Sequence, residues 1–442
     1  MHQLKPLKSL SIALIALLGI SGLAGCSTAK DEQTGGENKE QAVQKKDITI
    51  TFVGSQNWLN KGSKIDSELN EAFTQETGIK VDMQVIPDDQ YANVLKTKLA
   101  SGEAPDIFMV SAGVGAQKFL PEKYFADLSY EKWVSRYVPY AKAGSTINGK
   151  VMGFMTWSVD GWGMLYNTKM FEKYHLTVPK TYDEFTKAMD TLKANNITPI
   201  YEVGKEAWHW GVWLSQMGAL AEKNSPGLYD KLNSNKIKFA DVKEFETFLS
   251  QFKEMYDKGY FGKNPISNTW DSGYEAMGKE QAATFLGYTS YQNEVAGKFP
   301  DSNANDWKMY PIPLAGNNVF SHSAGGNMRV AYKDSKNLDS VKAFFDFLAR
   351  PENLKKYYEA RPDIQTAPSF TDVEPKPTQG GKSLVENAPG GDGMDMEYGV
   401  LYWDNTVVGK YIQDMMLGSL TPKQVLESID KDREKLFNAT GK

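Results

Sequence analysis

The chain has 442 residues, a formal net charge of −5 and one cysteine. That acidity disfavours a nucleic-acid partner, and a lone cysteine leaves no internal disulfide and no Cys-ligated metal. The length exceeds one hydrophobic core and points to two domains. Aromatic residues make up 12 % and include ten tryptophans, more than ordinary cores use, so part of them is expected to line a surface.

The first segment reads as an address. Lys5 and Lys8 precede an apolar run from Leu10 to Leu23, too short for a membrane span and right for a signal peptide over 1–25. It closes on Leu23-Ala24-Gly25-Cys26, which resembles the bacterial lipobox. The resemblance implies that Cys26 carries a lipid and becomes the first residue of the mature chain. Residues 26–46 then form a polar stretch that can bury little, a flexible tether between lipid and domain.

Past the tether, Ile48, Ile50 and Phe52 alternate as in a strand. Ile65, Leu69, Ala72 and Phe73 share a helical face that Gly78 stops; Ile79 to Val85 alternate again. Tyr91, Val94, Leu95 and Leu99 restore the helical spacing up to Gly102, and Ile107 to Val110 form a continuous apolar run typical of a buried parallel strand. The order βαβαβ predicts a parallel sheet whose loops at the strand C-termini are open to ligand.

A second α/β region opens with a strand over 163–166. Thr181 to Glu184 is a capping box before the stripe Phe185, Ala188, Met189 and Leu192, and Asp241 to Glu244 repeats the device before Phe245 to Tyr256. Ala282 to Leu286 reads as another strand, 341–348 as a helix, and 371–393, rich in Pro and Gly, as an irregular connection. Thr421-Pro422 opens a last helix.

Several of these stretches resemble one family. Phe73-Thr74-Gln75-Glu76-Thr77-Gly78-Ile79, Leu99-Ala100-Ser101-Gly102-Glu103-Ala104-Pro105-Asp106-Ile107 and Asn148-Gly149-Lys150-Val151-Met152-Gly153 with Leu165-Tyr166-Asn167 match its motifs in order. So do Val178-Pro179-Lys180-Thr181-Tyr182-Asp183-Glu184-Phe185, Gly325-Gly326, Arg350-Pro351-Glu352 and the final Leu420 to Leu426. The chain thus resembles extracellular solute-binding protein family 1, the sugar-binding lipoproteins of ABC importers. One position departs from the pattern. Where the family often has Gly-x-Trp, this chain has Gly287-Tyr288-Thr289, so Tyr288 or Tyr291 would have to replace that ring.

The resemblance implies an α/β fold of two lobes, each a mixed, mostly parallel sheet flanked by helices, with a ligand cleft between them. The N-lobe would comprise 47–156 and 325–372, the C-lobe 157–324 and 373–442. Closure around the ligand would be a hinge movement. The implied partners are a carbohydrate, the membrane subunits of the importer and, through the lipid, the outer face of the cell membrane. A monomer is expected, with no cofactor and no catalytic residue.

Sugars stack their C–H faces on aromatic rings, and their hydroxyls need carboxylates or amides. Rings beside such groups in strand-end loops are therefore the candidates: Gln56, Asn57 and Trp58 after the first strand, Trp157 and Asp160 at the first crossing, Trp208 in a Trp-rich run, Trp270 and Tyr288. Asp89, Ser111, Gly326, Asn327, Arg361 and Trp403 complete the set. The alternative role for each is a packed ring or a satisfied turn. Asp106 is read as mainly structural.

No metal is expected, since His175, His209 and His322 are isolated; Asp392, Asp395 and Glu397 only loosely resemble a calcium loop. No phosphate loop or nucleophile elbow is present. Two other classes remain open. A secreted carbohydrate-active enzyme would need two carboxylates across one bond. A binder of a non-sugar anion would need a basic cluster, which the sequence lacks.

Overall fold

The computed structural model describes residues 48–440, apart from 60–62, 157–160, 324–325, 362–363 and 365. Cys26, the tether, Trp157, Asp160 and Gly325 lie outside the described residues.

The strands are β1 (Thr49–Ser55), β2 (Lys80–Ile86), β3 (Ile107–Ser111), β4 (Thr146–Ile147), β5 (Lys150–Val151), β6 (Phe154–Met155) and β7 (Gly161–Tyr166). They continue with β8 (Thr198–Tyr201), β9 (Ala282–Tyr288), β10 (Lys308–Tyr310), β11 (Phe320–His322), β12 (Asn327–Ala331) and β13 (Asp392–Met394). A first sheet has the order β2-β1-β3-β12-β6. As the βαβαβ reading predicts, β1 runs parallel to both β2 and β3. The late strand β12 enters this sheet antiparallel to β3 and to β6.

The second sheet follows β13-β11-β7-β9-β8, with β10 also on β7. Its pairings are mixed: β8 lies parallel to β9 and β11 to β13, whereas β7 is antiparallel to β9, β10 and β11. Each sheet has its own core. Phe52, Phe108, Val110, Trp133, Phe154 and Phe345 belong to the first; Trp210, Trp213, Phe248, Phe252, Trp403 and Ile412 belong to one of two clusters around the second.

Local chemistry explains the element ends. Helices Ile65–Thr77 and Asp88–Ser101 stop at Gly78 and Gly102, both left-handed. The Thr181 hydroxyl accepts from Glu184 N–H and caps helix Tyr182–Ala194. The second expected cap forms elsewhere. Asp241 accepts from Lys238 N–H within a short 3-10 turn, and helix Lys243–Asp257 starts after Val242 with no side-chain cap. The stretch 371–393 also differs from expectation. It contains helix Gln379–Glu386, capped by Thr378, and β13, because Leu384 packs into the second sheet's flank. Asp106 accepts from Thr51 N–H and from its hydroxyl, joining β1 to the start of β3.

Candidate functional site

Sheet direction gathers the site. The C-terminal ends of β1 and β3 lie at one edge of the first sheet. Because β12 is antiparallel, its first residue Asn327 pairs with Ser111, the last of β3, at that same edge. The second sheet does likewise: Trp162 at the start of β7 pairs with Tyr288 at the end of β9. A cavity of about 230 Å³ is lined from both edges.

The first sheet supplies Ser55, Asn57 and Trp58, then Ser111, Lys118 and Asn327. Asp88 accepts from Asn57 N–H at 3.1 Å and from the Ser55 hydroxyl, so it fixes the turn that carries Trp58. Trp58 sits edge-on to Tyr91 with centroids 5.3 Å apart.

The second sheet supplies an aromatic wall of Trp162, Trp208, Trp270 and Tyr288. Trp270 and Tyr288 are 5.7 Å apart with planes 20° from parallel; Trp208 and Trp270 are 5.3 Å apart. One carboxylate sets two of these rings. Glu206 accepts from the Trp208 indole N–H at 2.9 Å and from Trp270 backbone N–H at 2.7 Å.

A third portion of the wall comes from Val212 and Gln216 on helix Ala207–Ser215 and its end, and from Asp395, Glu397, Tyr398, Asp404 and Asn405. The turn after β3 lies directly against this segment. A Cβ on Gly113 would meet the Tyr398 carbonyl oxygen at 2.9 Å, and one on Gly115 the Glu397 carbonyl oxygen at 3.1 Å. Tyr398 belongs to the first core and Met396 to the second.

The polar groups there are strongly perturbed. Burial pushes the Asp395 carboxyl well above its ordinary range, and the neighbouring Glu397 charge adds to this. Burial also raises Glu397, against the pull of Lys118 and of hydrogen bonds from Ser111 and Asn405. Burial pushes Asp404 up as well, but Lys118 and the backbone N–H groups of Val407 and Thr406 outweigh it and hold the carboxyl low.

Of the residues singled out from sequence, Asn57, Trp58, Ser111, Trp208, Trp270, Tyr288 and Asn327 line this cavity. The others that are described do not. Gln56 is exposed at the start of the short helix, and Asp89 faces solvent while its neighbour Asp88 lines the wall. Gly326 is buried, with its carbonyl accepting from Ala112 N–H. Arg361 is fully buried behind the wall, near Asp66 and Tyr357, and donates to the Trp58 carbonyl at 3.4 Å. Trp403 is packed on Phe239 and donates to Asn405. Tyr288, not the buried Tyr291, is at the cavity, and Thr289 instead donates its N–H to Gly161.

Sequence reasoning missed Asp88, Lys118, Trp162, Gln216, Asp395 and Glu397 as parts of one wall. The register of β7 on β9 could have signalled Trp162, since that strand start faces the end carrying Tyr288. Nothing local marks Gln216. Among the described residues no group of three or more His, Cys, Asp or Glu is placed to hold a metal ion, and no helix is long and apolar enough to cross a membrane.

Known proteins share this architecture and sequence pattern. The chain is 24 % identical over 331 residues to a multiple sugar-binding protein of Streptococcus mutans, covering 73 % of this chain and 76 % of that one. It is 25 % identical over 302 residues to the melibiose/raffinose/stachyose-binding protein MelE of Bacillus subtilis, covering 66 % and 68 %. A sugar transporter structure from Bacillus licheniformis in complex with stachyose superposes with a TM-score of 0.72 at 22 % identity, over 87 % of this chain and 99 % of that one, and shares the fold. The model of the bacterial extracellular solute-binding protein family matches residues 45–355, and the chain belongs to that family.

Proposed function

We propose that the protein captures a carbohydrate, an oligosaccharide in particular, in this cavity and delivers it to the membrane subunits of an ABC importer. The observation that carries this reading is the composition of one wall against the other. Trp162, Trp208, Trp270 and Tyr288 offer ring faces for sugar C–H groups, while Asn57, Asp88, Ser111 and Asn327 offer partners for hydroxyls. The printed functions of the multiple sugar-binding and melibiose/raffinose/stachyose-binding relatives support the same class. The relatives are binding proteins, which supports capture over hydrolysis.

The two sheets and their separate cores support two lobes, 47–156 with 325–372 and 157–324 with 373–442, that close on the ligand as a hinge. Asp160 at the first crossing is assigned to sugar hydroxyls and Trp157 to stacking. Cys26 is assigned as the lipidated residue that holds a monomer at the outer face of a cell membrane, with 27–46 as tether.

A thermal-shift screen over mono- and oligosaccharides tests the reading. A ligand bound only by the folded state at a hundredfold excess over Kd adds about 2.7 kcal/mol of stability. A panel in which no sugar shifts the melting temperature would reject it.

A further inference from the structure

The aromatic wall is half-buried at Trp162, Trp208 and Tyr288, but Trp270 between them is only 3 % exposed. Trp270 begins helix Trp270–Gly278, and Tyr274 follows one turn later on the same face. The Trp270 indole N–H donates to the Tyr274 hydroxyl at 2.7 Å. An indole nitrogen can only donate, so the Tyr274 oxygen accepts and its own proton goes elsewhere. It goes to Glu294, at 2.5 Å. Burial and the Glu294 charge push the Tyr274 phenol well up, so it stays a donor.

Glu294 receives a second ring. Its other carboxylate oxygen accepts from the hydroxyl of Tyr288, the last residue of β9. Glu294 lies on helix Tyr291–Lys298 and is itself buried, and neither it nor Tyr274 is among the residues lining the cavity. One buried carboxylate therefore joins two rings of the wall, from two elements, through a hydrogen-bonded path that runs behind them. The rings so joined are also a stacked pair, with planes 20° from parallel. Tyr288 in turn meets Trp162 edge-on at 5.4 Å, so its tilt bears on the next ring.

We propose that Glu294 is a positioning residue for sugar binding: acting through Tyr274 and Tyr288, it fixes the planes of the Trp270 and Tyr288 rings before a ligand arrives. The inference rests on the carbohydrate reading above and adds to it a residue that touches no sugar. A ring already in its bound orientation has less freedom to lose on binding, and stacking on a pyranose face depends on that orientation. A carboxylate suits the task because it accepts on both oxygens and each phenol has a proton to give. Glutamine has nearly the same shape but only one accepting end. With its nitrogen toward Tyr274, the Tyr274 proton loses its acceptor; with its nitrogen toward Tyr288, the Tyr288 hydroxyl must turn away.

The test is calorimetric titration of the full chain with raffinose, stachyose, maltotriose, cellotriose and xylotriose, and then of variants with whichever of these binds the parent most tightly. Glu294→Gln is expected to weaken that sugar about tenfold and Tyr274→Phe about three- to tenfold, the scale of one or two hydrogen bonds. The double variant should be no more than about twofold weaker than Glu294→Gln alone, because both changes cut one path. Stoichiometry in the same titrations reports the competent fraction and Kd reports the site. A purely structural role would lower that fraction or the melting temperature and leave Kd alone. Should Glu294→Gln fail to fold, Tyr274→Phe carries the test. A Kd equal to the parent's in the folded variants, or losses that multiply in the double variant, overturns the inference while the carbohydrate reading stands. If none of these sugars binds the parent, that reading falls and this one with it.

Discussion

Lys118 Nζ lies 3.6 Å from a carboxylate oxygen of Asp404, and the two arrive from different cores. Lys118 belongs to the turn after β3, while Asp404 caps helix Asn405–Met416, whose Val408 and Ile412 pack in the second core. Both side chains are partly exposed, so the pair contributes about 1 kcal/mol or less to folding. It links one side of the cavity to the other. Lys118→Met is expected to lower the melting temperature only slightly and to enlarge the ligand-free radius of gyration in small-angle scattering. An unchanged radius would show that the pair is incidental to the opening.

Asp395 and Glu397 are expected to make the free protein less stable than it could be. Their folded pKa values stand above the unfolded ones, near 3.9 for Asp and 4.3 for Glu. Folding therefore favours the protonated forms. The penalty is absent below the unfolded values and grows as pH rises through the folded ones. Asp395→Asn keeps the cap on Tyr398 N–H and removes the buried charge. It should raise stability on the order of 1 kcal/mol or more at pH 7, and the gain should vanish near pH 4. Melting curves of both proteins at the two pH values check the sign; a variant less stable than the parent at pH 7 refutes it.

Residues on the wall and residues behind it should separate cleanly. Trp58→Ala is expected to weaken sugar binding roughly tenfold, and Asp160→Ala roughly 10- to 100-fold, with little effect on the free melting temperature. Trp403→Ala should do the opposite and cost about 3–5 kcal/mol of stability, because it empties a packed space beside Phe239. Arg361→Ala should also destabilise, since it removes a cation from the buried set of Asp66, Arg329 and Tyr357. Titration calorimetry beside melting curves distinguishes the two groups.

This division also shows what sequence can and cannot reveal. The βαβαβ order of 48–111 is written in alternation, helical spacing and two terminal glycines, and the structure follows it within a few residues. Trp58, Trp208 and Tyr288 were legible because each lies beside a strand end or turn that opens on the cavity. Arg361 and Trp403 look equally suitable in sequence, but burial is decided by contacts with Tyr357 and Phe239 from distant segments. Asp395 and Glu397, with Asp392 and the glycines beside them, only loosely resemble a calcium loop in sequence. Their actual setting depends on Ser111 and Lys118 approaching from another sheet, which no local pattern encodes.

Cys26→Ala is expected to abolish incorporation of a labelled fatty acid and to leave an uncleaved or mislocalised precursor. The motivation is the Leu23-Ala24-Gly25-Cys26 sequence behind a signal-like apolar run. Equal labelling of the variant would remove Cys26 as the anchor.

Binding of a tight sugar should compact the protein. Two sheets that deliver opposite walls of one cavity imply a smaller radius of gyration with ligand than without, by small-angle scattering. A tight ligand that leaves the radius unchanged would mean that the cavity is already closed around its occupant's volume.

The place of β12 has a consequence for how the chain can be made and cut. Met109 in the middle of the first sheet has Arg329 as its neighbour, and everything in the second sheet up to β11 is synthesised between them. Until residue 331 has emerged, β3 is an edge: five fully buried residues with one row of backbone groups unpaired, a ready template for another chain. The first sheet is thus the earliest to begin and among the last to finish, and contacts so distant in sequence form slowly. Any truncation before β12 is expected to yield aggregate rather than half a binding protein, and a chaperone that delays collapse until the whole chain is available would serve this topology better than one that helps each segment fold as it appears.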